Sequence, residues 1–390
     1  MERSGEVLNR VYPFYGIYSN NLSSPKFQKI QTELAPKISD YSNKIYQNNK
    51  LFERIKKVFM DSKNKPLDSI DQRLIDLTYK RFIMNGAELD SIKKLKYADI
   101  NNELSTLYTK FSNNILSDEE NYTTFLSENE LSGLSESFIN TIKNESIRLG
   151  KNDKFAISNT RSSMDPFLKF SENRNLRKQV WENYYSRADN NDEYDNKSII
   201  EKILKLRKDR VNILGYDYYP EWRLQDRMAK SPENALKLLL DIWPSSIKTV
   251  EKEVEEMQKI ADKDNVTIEP WDYRFYAEKV RNEKYDYDSE EVKSYLQLEN
   301  LKDAMFFVAK EIFNLEFKEI EHGKVPVFHQ DVSVWEVYDI DENKLIGLWY
   351  LDPFSRPGKR SGAWATTYRS FGSFNEKEII LASNNSNFLK

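Results

Sequence analysis

The sequence predicts a mainly α protein with a small β-sheet set in near its C-terminus, and three observations carry that expectation. Apolar residues recur at three-to-four spacing over most of the chain up to Asn314. Glycine and proline are scarce, 11 and 12 in 390 residues, which suits long helices and disfavours a turn-dense all-β fold. Beyond Asn314 the period changes, and short β-branched or aromatic runs alternate with turn residues.

From Ser4 to Ile147 the pattern is helical. Leu51, Ile55, Val58 and Phe59 share one face, as do Leu74, Leu77 and Tyr79–Phe82, and turn residues break the run at Ser23–Pro25, Asn64–Pro66, Asn85–Gly86 and Ser132–Gly133. Ser198 and Glu201 form a capping box ahead of Ile200, Ile203, Leu204 and Val211, and Gly215 closes that helix in a left-handed cap. Ser231–Pro232–Glu233 supplies an N-cap, a first-turn proline and an acid for the next. Ile247, Val250, Val254, Met257 and Ala261 make a narrow apolar stripe on a highly charged helix. Leu298, Leu301, Met305, Val308 and Ile312 make another, ending near Asn314.

Strands are expected at Val325–Phe328, Ser333–Ile340, Leu345–Leu351, Ala363–Tyr368 and Ile379–Ser383, a sheet over about 325–385. Asp339–Lys344 reads as a hairpin loop, Leu345–Leu351 as a central strand, and Arg356–Pro357–Gly358–Lys359 as a type II turn.

Net charge is −4, from 59 basic and 63 acidic side chains, which gives no electrostatic footprint for nucleic acid. The basic runs Lys93–Lys94 and Lys205–Arg210 read as solvated helix edges. No apolar run reaches the length of a membrane span, and no signal peptide opens the chain, so a cytoplasmic location is expected. Zero cysteines exclude disulfides, thiolate catalysis and cysteine-ligated metal.

The only histidines, His322 and His329, are seven apart, whereas two zinc-binding imidazoles on one helix need an i, i+4 spacing, so a structural role is expected. The acid clusters Glu251–Glu253–Glu255–Glu256, Asp286–Asp288–Glu290–Glu291 and Asp339–Asp341–Glu342 read as solvated faces and turns. Arg356, Lys359 and Arg360 read as a solvated turn able to meet a carboxylate. Ser361-Gly362-Ala363-Trp364 reads as a strand of small residues that lets another backbone approach, and an edge there can take an extended peptide as an added strand.

Several segments together resemble one family. GLWYLDPFSRPGKRSGAW (Gly347–Trp364), TRSSMDPFLKFS (Thr160–Ser171), RLQDRMAKSPENAL (Arg223–Leu236), the WDYRFYAEKVR stretch within Glu269–Leu301 and SNNSNFLK (Ser383–Lys390) are similar to the thimet-oligopeptidase family of zinc metallopeptidases, and most like its bacterial peptidyl-dipeptidases. The resemblance runs through the whole chain in consistent order. It implies an elongated, two-lobed helical protein with a channel for short peptides. Residues 1–160 would form an N-terminal helical region. Residues 161–390 would form the first part of the catalytic domain, sheet included, without its zinc-binding helices.

The family's zinc is held by a helical H-E-x-x-H and a distant glutamate, and none of these maps onto this sequence. The resemblance therefore implies a chain truncated before that motif, inactive alone, with no zinc of its own and a separate C-terminal half carrying HExxH as a partner. The alternative is a non-catalytic peptide-binding or scaffold protein. Gly362, Ala363 and Trp364 correspond to the edge strand that holds the substrate main chain in the family. Apolar surface is expected to lie exposed around Trp349, Tyr350, Trp364 and Ile379–Ala382.

Overall fold

A computed structural model describes residues 5–65, 67–286, 289–372 and 378–389. The protein is mainly α, as its spacing predicts. Its first helices are α1 (Glu6–Asn20), α2 (Pro25–Tyr46), α3 (Asn49–Asn64), α4 (Ser69–Met84) and α5 (Ser91–Asn121). The starts are written locally: Asn48 accepts the Leu51 N–H at the head of α3, and Asp68 accepts those of Ile70 and Asp71 at the head of α4. A short strand pair follows, β1 (Thr124–Leu126) against β2 (Phe155–Ile157), with α6 (Glu136–Arg148) between them. The sequence reading missed this pair, because three-residue strands are too short to show a period of two.

Next come α7 (Arg161–Phe170), α8 (Arg174–Tyr185), α9 (Lys197–Ile213), α10 (Tyr219–Arg223) and α11 (Pro232–Ala261). Helix α9 does not start at the predicted Ser198 box. It starts at Lys197, whose N–H donates to Asp195 Oδ1 at 2.8 Å, while the Asn196 side chain is held by Phe111 O and Asn114. Helix α11 opens as predicted, with the Asn234 N–H donating to Ser231 Oγ at 3.3 Å. The last helices are α12 (Tyr273–Tyr285), α13 (Ser289–Tyr295) and α14 (Leu298–Phe313), which ends at a left-handed Asn314. In the acid cluster near α13, Asp288 lies outside the described residues and the Glu290 side chain is likewise not described.

The sheet holds five described strands: β3 (Leu315–Glu319), β4 (Ser333–Asp339), β5 (Lys344–Phe354), β6 (Trp364–Arg369) and β7 (Ile380–Phe388), in the order β3-β4-β5-β7-β6. Strand β5 is central as predicted, antiparallel to β4 and parallel to β7, and β6 pairs antiparallel with β7 at the edge. Two expectations are corrected. Val325–Phe328 is not a strand, since Pro326 has no N–H to give a ladder. The sheet begins instead at Leu315, where the Asn314 cap turns the chain directly out of α14.

The chain forms two compact units, each assembled from separated stretches. One comprises Pro25–Ser117 and Ala188–Lys252. There Phe52, Ile55 and Phe82 pack between α3 and α4, Ile100 and Leu104 of α5 meet Ile199 and Ile203 of α9, and Trp222 donates its indole N–H to Met84 O. Arg207 and Arg210 lie over Tyr108, Tyr219 and Trp222, so this basic run is stacked on aromatic rings and is more than a solvated edge.

The other unit comprises the residues up to Ser24, Asp118–Arg187 and Glu253 onward, and it carries the sheet. Leu126, Phe138, Ile142, Ile157, Phe167 and Val180 make its helical core. Asp272, fully buried, takes Arg177 at 2.7 Å and Arg174 at 2.7 and 3.0 Å, and Arg177 also stacks on Phe275. This knot joins α8 to the start of α12 and accounts for the WDYRF segment.

The expected apolar patch on the sheet is corrected. Trp349, Tyr350 and Trp364 are half-buried, Trp349 packing against Phe306, Phe317 and Trp335 and Tyr350 edge-on against Tyr368, and of that patch Ile380 alone is exposed as expected. Large apolar residues lie exposed on α11 and α14 instead.

Candidate functional site

The site is the turn between β5 and β6 with the β6 edge that follows. The turn is type II as predicted: Gly358 has φ +76°, and the Lys359 N–H donates to Arg356 O at 3.1 Å. Gly358 is dictated twice over. Its left-handed backbone disfavours a side chain, and a Cβ would lie 2.1 Å from Ser23 O. Ser23 N–H donates to Gly358 O at 2.8 Å, while the Gly358 N–H donates to Glu120 Oε1 at 2.8 Å.

The basic residues of this turn do not point to solvent, which corrects the solvated reading. Asp352, fully buried at the end of β5, accepts a bidentate pair from Arg356, both at 2.7 Å, and faces Lys359 Nζ at 3.0 Å. Lys359 also donates to Asp352 O and Phe354 O. Asn21 Nδ2 bridges Asp352 Oδ2 and Asn385 Oδ1, each at 2.8 Å. Burial raises the Asp352 carboxyl, but the Arg356 and Asn21 hydrogen bonds and the Lys359 charge outweigh it and hold it below the ordinary carboxylate range. Burial lowers the Lys359 ammonium to about 8 even though Asp352 pulls it back. Arg360 turns inward too, giving its N–H to Asn20 O and its Nε to Ser19 O. Arg356 and Lys359 are thus committed to Asp352 and neighbouring carbonyls rather than to solvent.

Ser361 Oγ donates to Glu119 Oε1 at 2.6 Å, and burial pushes the Glu119 carboxyl up despite that bond and the neighbouring Arg187. The strand predicted from Ser361 starts three residues later: Ser361 and Gly362 form a bend, Ala363 follows irregularly, and Trp364 opens β6. Gly362 and Ala363 are exposed. Gly362 has φ +101°, with nothing within 4 Å of where its Cβ would stand. From the sheet side, Asn387 Nδ2 donates to Gly362 O at 2.7 Å and Arg360 O at 2.9 Å. Trp364 pairs with Asn385, whose Nδ2 donates to Trp364 O at 3.3 Å. The Trp364 indole N–H is buried with no hydrogen-bond partner among the described residues.

Trp364 thus opens the outermost strand on this side of the described sheet, and Gly362 and Ala363 lead into it. Trp364, Thr366 and Tyr368 are half-buried on one face, while Ala365, Thr367 and Arg369 are exposed on the other. Sequence reasoning missed Asp352, Asn385, Asn387 and Asn21, which hold that edge in place. The readable signal was the two-residue spacing of Ser383, Asn385 and Asn387.

The described residues do not fit a zinc centre. No three His, Asp or Glu side chains come together among them as metal ligands would. His329 Nδ1 instead accepts the Asp331 N–H at 3.2 Å, the structural role expected of it. No helix among the described residues is long and apolar enough to cross a membrane.

The chain is similar to known proteins over nearly all its length. Residues 167–388 match Peptidase family M3. The chain is 30% identical over 385 residues to dipeptidyl carboxypeptidase of Escherichia coli (strain K12), covering 98% of the chain and 56% of that protein. It is 30% identical over 376 residues to organellar oligopeptidase A of Arabidopsis thaliana, covering 92% of the chain and 47% of that protein. Against oligopeptidase A of Escherichia coli (strain K12) the identity is 27% over 366 residues, with 92% and 53% covered. The chain spans about half the length of the curated relatives it matches. Its matched residues, which carry the sheet and the clamped turn, make the chain a member of peptidase family M3.

Proposed function

We propose that this chain provides the substrate-holding wall of a peptidase of the peptidyl-dipeptidase type, with Gly362, Ala363 and the β6 edge taking the main chain of a short peptide as an added strand. The observation that carries this reading is the edge of β6, unpaired among the described residues, approached across an exposed Gly362 and braced from behind by Asn385 and Asn387. Backbone pairing is indifferent to side chains, which suits a wall that accepts many sequences. The half-buried face of Trp364 and Tyr368 adds apolar surface beside the bound strand.

Zinc is the metal of the family, where it activates the attacking water. The 390 residues hold two histidines and no H-E-x-x-H, so no catalytic step is assigned to them. On this reading the chain alone binds peptide without cleaving it and takes up no zinc tightly, and the centre comes with sequence outside these residues. The same lack of ligands favours a second reading, a peptide-binding or scaffold protein that works without cleavage.

Titration calorimetry with a short unstructured peptide, beside elemental zinc analysis and a fluorogenic peptide assay, tests the first reading. Saturable binding that Gly362→Val weakens by about tenfold, with no hydrolysis, supports it. Stoichiometric zinc with cleavage by the purified chain overturns the inactive assignment. Binding indifferent to Gly362→Val overturns the edge.

A further inference from the structure

Helix α11 carries a repeat that the peptide edge does not use. From Leu236 through Trp243 and Val250 to Ala261, apolar residues recur at alternating steps of four and three. That is the spacing of a seam made to receive another helix. The last turns of the seam have one: in the sheet-bearing unit, Met257 and Ala261 are buried against Tyr276 of α12. Among the described residues the earlier turns have none. Leu236 is 55% exposed, Trp243 64% and Val250 50%. Leu238, Leu239 and Ile242, beside the seam, are exposed as well, so the first turns are apolar nearly all round. A helix of that character belongs inside a protein, and exposed apolar surface on this scale marks an interaction face.

Lys237 and Glu251, both exposed, border the seam of these turns, so its edges carry both signs of charge and its selectivity lies in the apolar stripe. The relatives supply the length: they match this chain almost end to end, yet carry nearly as much sequence again outside the match. We propose that the Leu236–Val250 face of α11 is the docking site for an amphipathic helix contained in the part of the relatives' length that these 390 residues do not match. The inference rests on family membership and not on the peptide edge, so its test reads association alone.

The segments of the Escherichia coli dipeptidyl carboxypeptidase outside the match are expressed apart from its matched segment, under conditions where the two parts of that relative associate. The fluorescently labelled unmatched segments are then titrated with the 390-residue protein. Saturable binding is expected, weakened at least about tenfold by Ile247→Glu and unchanged by Lys252→Glu on the far side of the helix. Ile247 is itself exposed, so its variant should keep the far-ultraviolet circular dichroism of the parent. Three results overturn the proposal: no binding where the relative's own half binds, binding indifferent to Ile247→Glu, or a homodimer of the 390-residue chain through Ile247 in its place.

Discussion

Gly358→Ala separates conformational cost from close approach, because the same unit holds a second glycine that shares only the first. Gly358 and Gly150 have nearly the same backbone, φ +76° and +74°. An alanine in that left-handed conformation costs ~1 kcal/mol at either position. At Gly150 nothing else lies within 4 Å of the new Cβ. At Gly358 it would meet Ser23 O at 2.1 Å and Ser23 N at 3.0 Å, so the turn must back away from Ser23. That movement breaks the Ser23 N–H bond to Gly358 O and displaces the Gly358 N–H bond to Glu120, at ~1 kcal/mol each. Gly358→Ala should therefore lose ~3 kcal/mol and Gly150→Ala ~1 kcal/mol, a gap of ~2 kcal/mol in urea unfolding at equal slope. Equal losses would refute the claim that close approach, and not φ alone, dictates this glycine.

Asp352→Ala strands Arg356 and Lys359 in the interior and should cost ~3–5 kcal/mol, read by the same unfolding assay. Because the folded Asp352 value is depressed, its stabilisation is complete above the unfolded value of about 3.9 and is lost as pH falls through the folded one; Asp352→Asn should lack that acid limb in a pH series of melts. Lys359 is depressed as well, and its slope runs the same way in a more alkaline window. Its folded value of about 8 lies below the unfolded ~10.4, so the unfolded state binds more proton between them and this group's contribution rises with pH across that window, a rise that Lys359→Met should remove. Asp272→Ala leaves Arg177 buried and unpaired and should cost ~3–5 kcal/mol, with the loss confined to the sheet-bearing unit in hydrogen exchange.

Most of the helical frame was legible in the sequence, because caps and periodicity are local. Ser231, Gly215 and Asn314 each end or begin a helix where their chemistry says they should. Several of the failures share a cause. Strands β1, β2 and β3 draw their stability from partners distant in sequence, and so does the extension of β7 through the Asn-rich segment, which poor strand propensity argued against. Small residues after a turn mark Gly362–Trp364 only weakly, and it is the family resemblance that singles them out. The charges of the turn were misread because Lys359, Arg356 and Arg360 look solvated until Asp352 and Asn21 are seen beside them. Asp352 has no sequence neighbour that marks it as buried.

The measurement that bears most directly on the peptide-binding account is residue-resolved hydrogen–deuterium exchange of Trp364–Arg369 with and without a saturating short unstructured peptide. A bound strand closes the free edge of β6 and should slow the amides on its outer side, with the inner ladder to β7 unchanged. Methylating the peptide's main-chain nitrogens should abolish that protection while keeping its side chains. Protection appearing elsewhere, with β6 exchanging as in the free protein, would contradict the account.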